Sequence, residues 1–373
     1  MDELHLYPSY ALSAGHGRVQ QPGRESLCPA TRQQRQHLGH VSFPCRGVCS
    51  GHMLRNPRRG GKATNRSCQT TLRARNREGA AMEKVDVHVH VFDRLRPEFP
   101  RGVSALAPAD REATAEQLLA EMGEADIDKA VLIDMGGTDI EQHNYVAHCV
   151  RTWPDRFTAT GLVDVADPAA ADRLTELYEA TPIEGIRLGG GLGDPAAEQA
   201  EDLTAYPLFQ RAAELGVNIN LYGRSDGVAS MELLVAAFPG INISLDHLGI
   251  CPSTPLVPDA WVRPRFEQEP LPPATYEQIL GLARYDNVHV KVSGEYAFSK
   301  AAYPYADMKP MVERVYETFG PERMMWCTDF PWIVAEPGYG RLAQMIDHHL
   351  PGIPTREREM MMGGNALGIW FRR

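Results

Sequence analysis

Residues 85–91 alternate strictly between valine and polar residues, in the order Val-Asp-Val-His-Val-His-Val. A period of two predicts a β-strand with one apolar face and one face carrying Asp86, His88 and His90. Two imidazoles two positions apart would point toward one centre, and imidazole nitrogen is the commonest transition-metal donor in proteins. The pattern therefore predicts a metal-binding or catalytic pair. The alternative is a pair of histidines that are hydrogen-bonded within the strand.

Strand-like and helix-like patterns then alternate to the end of the chain. Apolar or period-two runs predict strands at residues 85–91, 130–133, 157–165, 183–189, 217–222, 241–247, 288–293 and 324–329. Helical periodicity marks residues 113–124, 139–152, 168–180, 203–215, 229–237, 275–284, 307–319, 339–349 and 355–362. Eight strand–helix units predict the α/β class and a (β/α)8 TIM barrel. The alternative, a doubly wound sheet, usually carries a glycine-rich fingerprint after its first strand, and this chain does not.

The polar faces of the predicted strands should line the barrel, because the apolar faces must meet the surrounding helices. Barrel active sites form at the C-terminal ends of the strands. The candidates that this pattern alone provides are His88, His90, Arg187, Tyr222, Lys291 and Ser293. In the sixth strand the same alternation places Asp246 inside the barrel and His247 outside.

Charge is divided unevenly along the chain. Residues 1–81 hold 13 Lys and Arg against 4 Asp and Glu, whereas residues 82–373 hold 25 against 44. The first segment is rich in Arg, Gln, Gly and Pro without apolar periodicity, so we expect a disordered basic extension. The barrel domain is expected over residues 82–373, with Met82 as a natural first residue. The alternatives for the extension are a transit peptide, a zinc module and a non-specific nucleic-acid contact.

Composition also bears on partners and compartment. No run approaches the ~18–20 apolar residues of a membrane span, so no membrane partner is predicted. Only the charge of the extension points toward nucleic acid, and no such partner is predicted. Cys149, Cys251 and Cys327 of the predicted domain are widely spaced. This spacing indicates no disulfide framework. Unpaired cysteines are typical of proteins in a reducing compartment, so we predict a cytoplasmic protein.

Four motifs in chain order carry a resemblance to a known family. They are His88-x-His90, Asp246-His247-x-Gly249, the sequence Cys-Thr-Asp-Phe-Pro-Trp at residues 327–332, and Asn365-Ala366. Together they resemble the amidohydrolase superfamily, and most closely its amidohydrolase 2 group. That group contains sugar-lactone and pyrone-dicarboxylate lactonases, together with aminocarboxymuconate-semialdehyde and resorcylate-type decarboxylases. The resemblance covers residues 83–372.

The resemblance implies a role for each motif residue. His88 and His90 would be metal ligands, and Asp329 would be a ligand that also serves as general base. His247 would be a further ligand or the group that polarises a substrate oxygen. A zinc or manganese ion would lower the pKa of bound water, and a carboxylate at the barrel mouth could take the proton from that water. The alternatives are a turn or capping role for Asp329 and a core position for His247.

This chain departs from the family at strands four and five, where many members carry a further histidine or lysine ligand. Arg187 and Tyr222 stand there instead, so a binuclear site is not expected. The lactonase branch includes members that need no metal, so a metal-free mode stays open. The family places His247 in the site, against the alternation of its strand. We follow the family, because a strand can twist or bulge at its end.

The cations of the predicted barrel lining suit an anionic small molecule, since arginine grips a carboxylate through two hydrogen bonds and lysine acts as a point charge. The predicted substrate-binding residues are Arg187, Tyr222, Lys291, Ser293 and Trp332. The alternative for the cations is pairing with barrel carboxylates such as Asp86. Trp332 and Trp261 either wall the pocket or pack against neighbours.

The predicted function is hydrolysis of a small carboxylated or sugar-type lactone, with Asp329 taking a proton from water. The first alternative is a metal-dependent, non-oxidative decarboxylase on the same scaffold. The missing histidine on the fifth strand is unfavourable to it. The second alternative is a binding barrel without catalysis. Barrels of this group often associate, so a homo-oligomer is a further expectation, although no segment marks an interface.

Overall fold

The computed structural model describes residues 82–189 and 191–372. Within these ranges, eight parallel strands pair in chain order and form one barrel sheet. The strands are β1 Val85–Val89, β2 Lys129–Ile133, β3 Phe157–Leu162, β4 Gly185–Gly189, β5 Asn218–Tyr222, β6 Ile243–Leu245, β7 Val288–Val292 and β8 Met324–Trp326. The predicted TIM barrel is confirmed. The expectations for residues 1–81, including the disordered extension and its alternatives, lie outside the described residues.

Helices connect and follow the strands. They are α1 Ala115–Glu124, α2 Asn144–Thr152, α3 Ala170–Ala180, α4 Tyr206–Leu215, α5 Val228–Ala237, α6 Tyr276–Gly281, α7 Glu295–Phe298, α8 Lys309–Phe319, α9 Tyr339–Leu342, α10 Met345–His349, α11 Thr355–Glu359 and α12 Asn365–Trp370. Helix α1 begins at a capping box, in which the side chains of Thr114 and Gln117 each accept a hydrogen bond from the backbone amide of the other residue. The helix predicted at residues 339–349 is two short helices. Helix α12 was not predicted and follows a π-helical turn at Met360–Gly364.

The barrel closes between its first and last strands. Val89 pairs with Phe330 in a parallel bridge just beyond β8. The amide of Asp329 donates to the carbonyl of His88 at 2.9 Å, and the amide of His90 donates to the carbonyl of Phe330 at 2.7 Å. This seam between β1 and β8 therefore carries the predicted histidine pair on one side and the predicted base on the other.

The outward faces of the strands pack against the helices, as the period-two pattern predicts. Ile219 and Leu221 of β5 and Val290 of β7 belong to this large apolar core. The alternate positions Asn220 and Lys291 are equally buried but polar. The large apolar core thus lies outside the sheet, whereas the polar candidate residues and a smaller apolar cluster that includes Trp370 lie inside it.

Helix α12 closes the N-terminal end of the barrel. Trp370 is fully buried, and a Cβ added to Gly185 at the start of β4 would lie 2.6 Å from its ring. The Asn218 amide group donates to the carbonyl of Ile369 at 3.1 Å. The Lys291 ammonium lies 5.7 Å from the centre of the Trp370 ring. Because these partners come from inward faces of the strands, Trp370 fills the barrel beneath the candidate site.

Strand β1 departs from strict alternation at Asp86. Its pairing with β2 shifts register between Asp86 and Val89, which marks a bulge. The Asp86 carboxylate accepts hydrogen bonds from the amide and hydroxyl of Thr328, at 3.0 and 2.6 Å, and from the hydroxyl of Tyr339 at 2.9 Å. The prediction that Asp86 shares a face with the histidine pair was therefore wrong, because the bulge breaks the period of two.

The chain between β6 and α6 forms a long excursion with a hairpin of its own. Val257–Pro258 pairs antiparallel with Pro264–Arg265. The buried carboxylate of Glu269 accepts hydrogen bonds from the amides and hydroxyls of Ser253 and Thr254. This clamp ties the end of the excursion to its beginning.

Two predictions from composition can be compared with the described residues. No helix there combines the length and apolar character needed to cross a lipid bilayer. Cys149, Cys251 and Cys327 are each buried and unpaired, which agrees with the predicted lack of a disulfide framework in this part of the chain.

Candidate active site

His88 and His90 bring their Nε2 atoms to 3.2 Å from each other inside the barrel mouth. Both side chains are buried. The Nδ1 atom of His90 lies 2.9 Å from the carbonyl of Ile133 at the end of β2. A carbonyl oxygen can only accept, so Nδ1 of His90 carries the proton and Nε2 presents its lone pair. Burial lowers the pKa of His88 well below its usual value, so the His88 imidazole is neutral.

Asp329 follows β8 and faces the histidine pair across the seam. Its Oδ1 atom lies 3.3 Å from Nε2 of His90 and 3.6 Å from Nε2 of His88. Its Oδ2 atom accepts a hydrogen bond from the Tyr296 hydroxyl at 2.8 Å. Burial alone would raise the pKa of Asp329, but attraction to His247, His90 and His88 in their protonated forms, which exist at low pH where this carboxyl group titrates, outweighs burial and holds that pKa below its usual range. The carboxylate is therefore ionised at neutral pH.

The backbone at Asp329 has a φ of 64°, in the left-handed region that non-glycine residues rarely adopt. The amide of the same residue is held by the seam hydrogen bond to β1. Strain of this kind persists where the surrounding structure imposes it and clusters at functional sites. The seam thus aims this carboxylate at the histidine pair.

Three donor atoms of this site match the requirements of one metal ion. The Nε2 atoms of His88 and His90 and Oδ1 of Asp329 form a triangle with sides of 3.2, 3.3 and 3.6 Å. Tetrahedral zinc, with bonds of ~2.0–2.1 Å, separates its ligands by about 3.4 Å. Among the described residues, Oδ1 of Asp329 is also buried without a hydrogen-bond partner. The residues present therefore fit a divalent ion.

His247 enters the site because its strand ends early. Strand β6 stops at Leu245, and the backbone then turns through left-handed conformations, with φ values of 51° at His247 and 58° at Leu248. The Nδ1 atom of His247 lies 2.9 Å from the hydroxyl of Ser293, and its ring lies 4.8 Å from that of His88. The side chain thus faces inward, as the family resemblance implied and strand alternation did not. Burial lowers the pKa of His247, which keeps the ring neutral.

Gly294 makes room for this histidine. It has a φ of 79°, and a Cβ added there would lie 2.8 Å from the His247 side chain. The left-handed conformation and the close approach both require glycine at this position. The turn after β7 is therefore shaped around His247.

Arg187 and Lys291 both lie against the carboxylate of Asp246. Nε of Arg187 is 2.9 Å from Oδ2, and Nζ of Lys291 is 3.1 Å from Oδ1. Burial alone would raise the pKa of Asp246, but Lys291, His88 and Arg187 outweigh burial and hold it well below its usual range. The predicted cations thus have a barrel carboxylate as partner, and that carboxylate is Asp246 rather than Asp86.

Aromatic rings frame the rest of the site. The Arg187 guanidinium lies 4.9 Å from the centre of the Tyr222 ring, and Tyr222 meets His247 edge-on at 5.3 Å. The Trp332 ring lies 6.0 Å from that of His90 and is buried. Trp261, in contrast, is 52% exposed on the excursion after β6. Trp332 is therefore the tryptophan that borders the candidate ligands.

Sequence patterns did not predict two residues of this site. Tyr296, which donates to Asp329, and its neighbour Glu295 belong to the short helix α7 directly after β7. Neither residue lies on a strand, so period-two alternation could not select it. The available signal was position, since residues just after a barrel strand lie at the C-terminal mouth.

Comparison with known families gives one match over almost the whole described chain. A family model described as "Amidohydrolase" matches residues 85–372. Among curated proteins, D-galactarolactone isomerase of Agrobacterium fabrum (strain C58 / ATCC 33970) is 32% identical over 94 residues. That alignment covers 24% of this chain and 32% of the relative, so it spans about a third of the relative's length.

Two solved structures illustrate the shared fold. One, from Pseudomonas putida and described as a 2-pyrone-4,6-dicarboxylic acid hydrolase, has 21% identity and a TM-score of 0.58, covering 78% of this chain and 98% of that one. The other, 5-carboxyvanillate decarboxylase from Sphingomonas paucimobilis, has 18% identity and a TM-score of 0.51, covering 78% and 99%. At these identities the likeness establishes the fold.

Proposed function

The chain belongs to the amidohydrolase family, and from this premise we propose that it is a hydrolase that opens a small carboxylated or sugar-type lactone by attack of water. The observation that carries the proposal is the ionised, buried carboxylate of Asp329, which lies among the imidazoles of His88, His90 and His247. Such a carboxylate can take a proton from water while neighbouring imidazoles meet the developing charge on a carbonyl oxygen.

In the proposed reaction, Oδ1 of Asp329 removes the proton from the attacking water. The hydroxyl of Tyr296 holds Oδ2, which directs the other oxygen toward the histidine pair. We assign the donor role in the contact with Nδ1 of His247 to the Ser293 hydroxyl, and this assignment leaves the proton of that ring on Nε2. From Nε2, His247 donates a hydrogen bond to the lactone carbonyl oxygen as negative charge develops there. Collapse of the tetrahedral adduct breaks the ring C–O bond, and the proton taken up by Asp329 passes to the departing ring oxygen.

Family membership and the donor triangle support a metal cofactor. His88, His90 and Asp329 would hold the ion, and we propose zinc or manganese. When bound, a divalent ion polarises the carbonyl and lowers the pKa of water. The neutral imidazole of His88 and the ionised carboxylate of Asp329 are already in the protonation states that ligation needs.

The proposed substrate carries a carboxylate, which we assign to the side of the site formed by β4 and β5. Arg187 and Tyr222 stand there, and Trp332 would wall the opposite side. Lys291 is fully buried behind Asp246, so it would not contact the substrate. Its positive charge would instead attract the substrate carboxylate from a distance. Asp246 carries one negative charge against two cations, which leaves this side of the site positive.

The same scaffold also serves decarboxylases, one of which is a structural neighbour. The donor triangle supports that chemistry equally well. Tyr222 at the end of β5 supports it less, because many family members carry a ligating side chain there. A decarboxylase is therefore the second candidate.

The test uses the full-length protein with two substrate panels, one of aldonic, aldaric and pyrone-dicarboxylic lactones and one of hydroxybenzoic acids. NMR distinguishes ring-opened acid, migrated lactone and decarboxylated phenol. Asp329→Asn should lower kcat/KM on the lactone about 10²–10⁴-fold, which is the usual contribution of a general base. Asp126→Asn removes an exposed carboxylate and serves as the matched control.

Ring-opened acid from the wild type, together with loss in Asp329→Asn and retention in the control, supports the proposal. A decarboxylated phenol as sole product would establish the second candidate instead. Unchanged lactone opening in a folded Asp329→Asn variant would refute the role of this carboxylate.

A further inference from the structure

Asp246 lies at a junction of four strands inside the barrel. It follows β6, and its carboxylate contacts Arg187 of β4, Lys291 of β7 and His88 of β1. All four side chains are buried. The amide of Asp246 donates to the carbonyl of Leu221 at 3.0 Å, which fixes its backbone to β5. A charged group this deeply buried is costly unless its neighbours use it.

We propose that Asp246 is a positioning residue for His88, accepting the proton of Nδ1 so that the lone pair of Nε2 faces His90 and Asp329. This inference deepens the proposed site and rests on the metal-holding role given to His88 above. It concerns how the chain prepares one ligand and is independent of which lactone is the substrate.

The two histidines of the site have matching arrangements. Nδ1 of His90 meets the carbonyl of Ile133 at 2.9 Å, and Nδ1 of His88 meets Oδ1 of Asp246 at 3.3 Å. In each case an oxygen acceptor lies behind the ring and Nε2 points to the common centre. Metal-binding histidines usually donate their second nitrogen to a carboxylate or carbonyl in this way.

Lys291 would favour the opposite tautomer of His88, because its ammonium lies 3.5 Å from the same Nδ1 atom and could donate a hydrogen bond to it. An ammonium can only donate, so that pairing would place the proton of His88 on Nε2. Two observations favour Asp246. Its oxygen is nearer to Nδ1, and Nε2 of His88 stands beside two other acceptor atoms, Nε2 of His90 and Oδ1 of Asp329. Three acceptors around one point suit a cation.

The cations then have a defined purpose. Oδ2 of Asp246 accepts a hydrogen bond from Arg187. Oδ1 lies 3.1 Å from Nζ of Lys291 and 3.3 Å from Nδ1 of His88, and among the described residues it has no hydrogen bond of standard geometry. Two positive charges keep the carboxylate ionised without solvent. An asparagine of the same shape would offer one acceptor oxygen to three donors, and the amide nitrogen would repel them. Asp246→Asn should therefore release His88 from its tautomer while preserving side-chain volume.

The experiment measures zinc binding by full-length protein in competition with a chromophoric chelator, without substrate. Asp246→Asn should bind zinc about 10–100-fold more weakly than the wild type, as for other partners of metal-bound histidines. Glu269→Gln is the matched control, because Glu269 is a buried carboxylate whose partners are Ser253 and Thr254. Its zinc affinity should stay within about twofold of the wild type. Equal affinities in wild type and Asp246→Asn, or a wild type that binds no zinc, would overturn the inference.

A second measurement needs no variant of Asp246 and covers the case in which that variant does not fold. In zinc-loaded, ¹⁵N-labelled wild type, the side-chain resonances of His88 are identified by their absence from His88→Gln. A proton on Nδ1 supports the inference, and a proton on Nε2 overturns it. Neither measurement uses turnover, so a failure of the lactone proposal leaves both results interpretable.

Discussion

Glu295 is a buried carboxyl group one position before the tyrosine that holds the proposed base. Among the described residues, its Oε1 atom has no hydrogen-bond partner. Burial raises its pKa from an ordinary 4.5 to about 7, and the negative charge of Asp329 adds to the effect. The other ionisable groups around it are His349, whose Nε2 atom lies 3.9 Å away, and Tyr305. This carboxyl group is thus protonated in the folded protein over a range where it ionises in the unfolded chain.

The sign of the resulting pH dependence follows from the raised pKa. The folded state binds the proton more tightly, so the stabilising contribution is complete below about pH 4.5 and is lost as pH rises through about 7. The shift corresponds to at most about 3 kcal/mol. We expect Glu295→Gln to remove this pH-dependent component. As pH rises from 5 to 8, the free energy of unfolding of the wild type should therefore fall relative to that of the variant. Urea unfolding at the two pH values measures the difference.

Glu269→Gln is the control for this experiment, because it also removes a buried carboxyl group but leaves Glu295 in place. It should retain the pH dependence of the wild type. Parallel stability curves for wild type and Glu295→Gln across this range would contradict the expected protonation state.

Individual residues also mark where sequence reasoning reached its limit. His88 and His90 could be placed because a regular strand fixes side-chain direction. Asp86 could not, because a bulge interrupts that strand. His247 faces inward only because β6 ends before it and the backbone turns left-handed, which alternation does not describe. Tyr296 lies beyond the end of its strand, where no periodicity operates.

At the scale of elements, the last helix has an importance that the sequence did not reveal. The Trp370 side chain of helix α12 lies buried in the N-terminal end of the barrel, beneath Lys291. The glycine pair before it, Gly363 and Gly364, suggests an end to helical structure rather than a continuation. The structure explains the first glycine, since a Cβ there would lie 1.9 Å from the carbonyl oxygen of Glu83. Close packing against the segment that precedes β1 therefore requires glycine at position 363. The backbone there does not end the helix but forms the π-helical turn that leads into α12.

Truncation of this tryptophan should open the barrel floor. We expect Trp370→Ala to lower the free energy of unfolding by about 3–5 kcal/mol, because a large buried aromatic group leaves a cavity. Trp261→Ala is the matched control, since that ring is 52% exposed, and its cost should be well below half of this. Denaturant unfolding of both variants measures the difference. Equal losses would contradict the role of α12 as the floor of the barrel.

For the whole molecule, the decisive feature is that the candidate site lies on the barrel seam. Seven of the strand pairs are ladders, of which only that between β1 and β2 contains a bulge, whereas β1 and β8 meet through one bridge and two backbone hydrogen bonds. The order of eight strand–helix units predicted this closure, because a TIM barrel must join its first and last strands. The family resemblance placed the proposed ligands on these two strands, but the sequence could not show the register that brings their side chains together. That follows from the alignment of β1 with the segment after β8.

An ion held by His88, His90 and Asp329 would therefore cross-link the first and last strands of the barrel. A ligand that binds only the folded state stabilises it, by about 2.7 kcal/mol at a hundredfold excess over Kd. We expect zinc to raise Tm by several degrees and chelation to reverse the change. Hydrogen exchange should slow most in peptides covering β1 and β8, because the added bond joins those strands. Asp329→Asn should lose both effects and Asp126→Asn should keep them. Protection spread evenly over all eight strands would instead place the ion away from the seam.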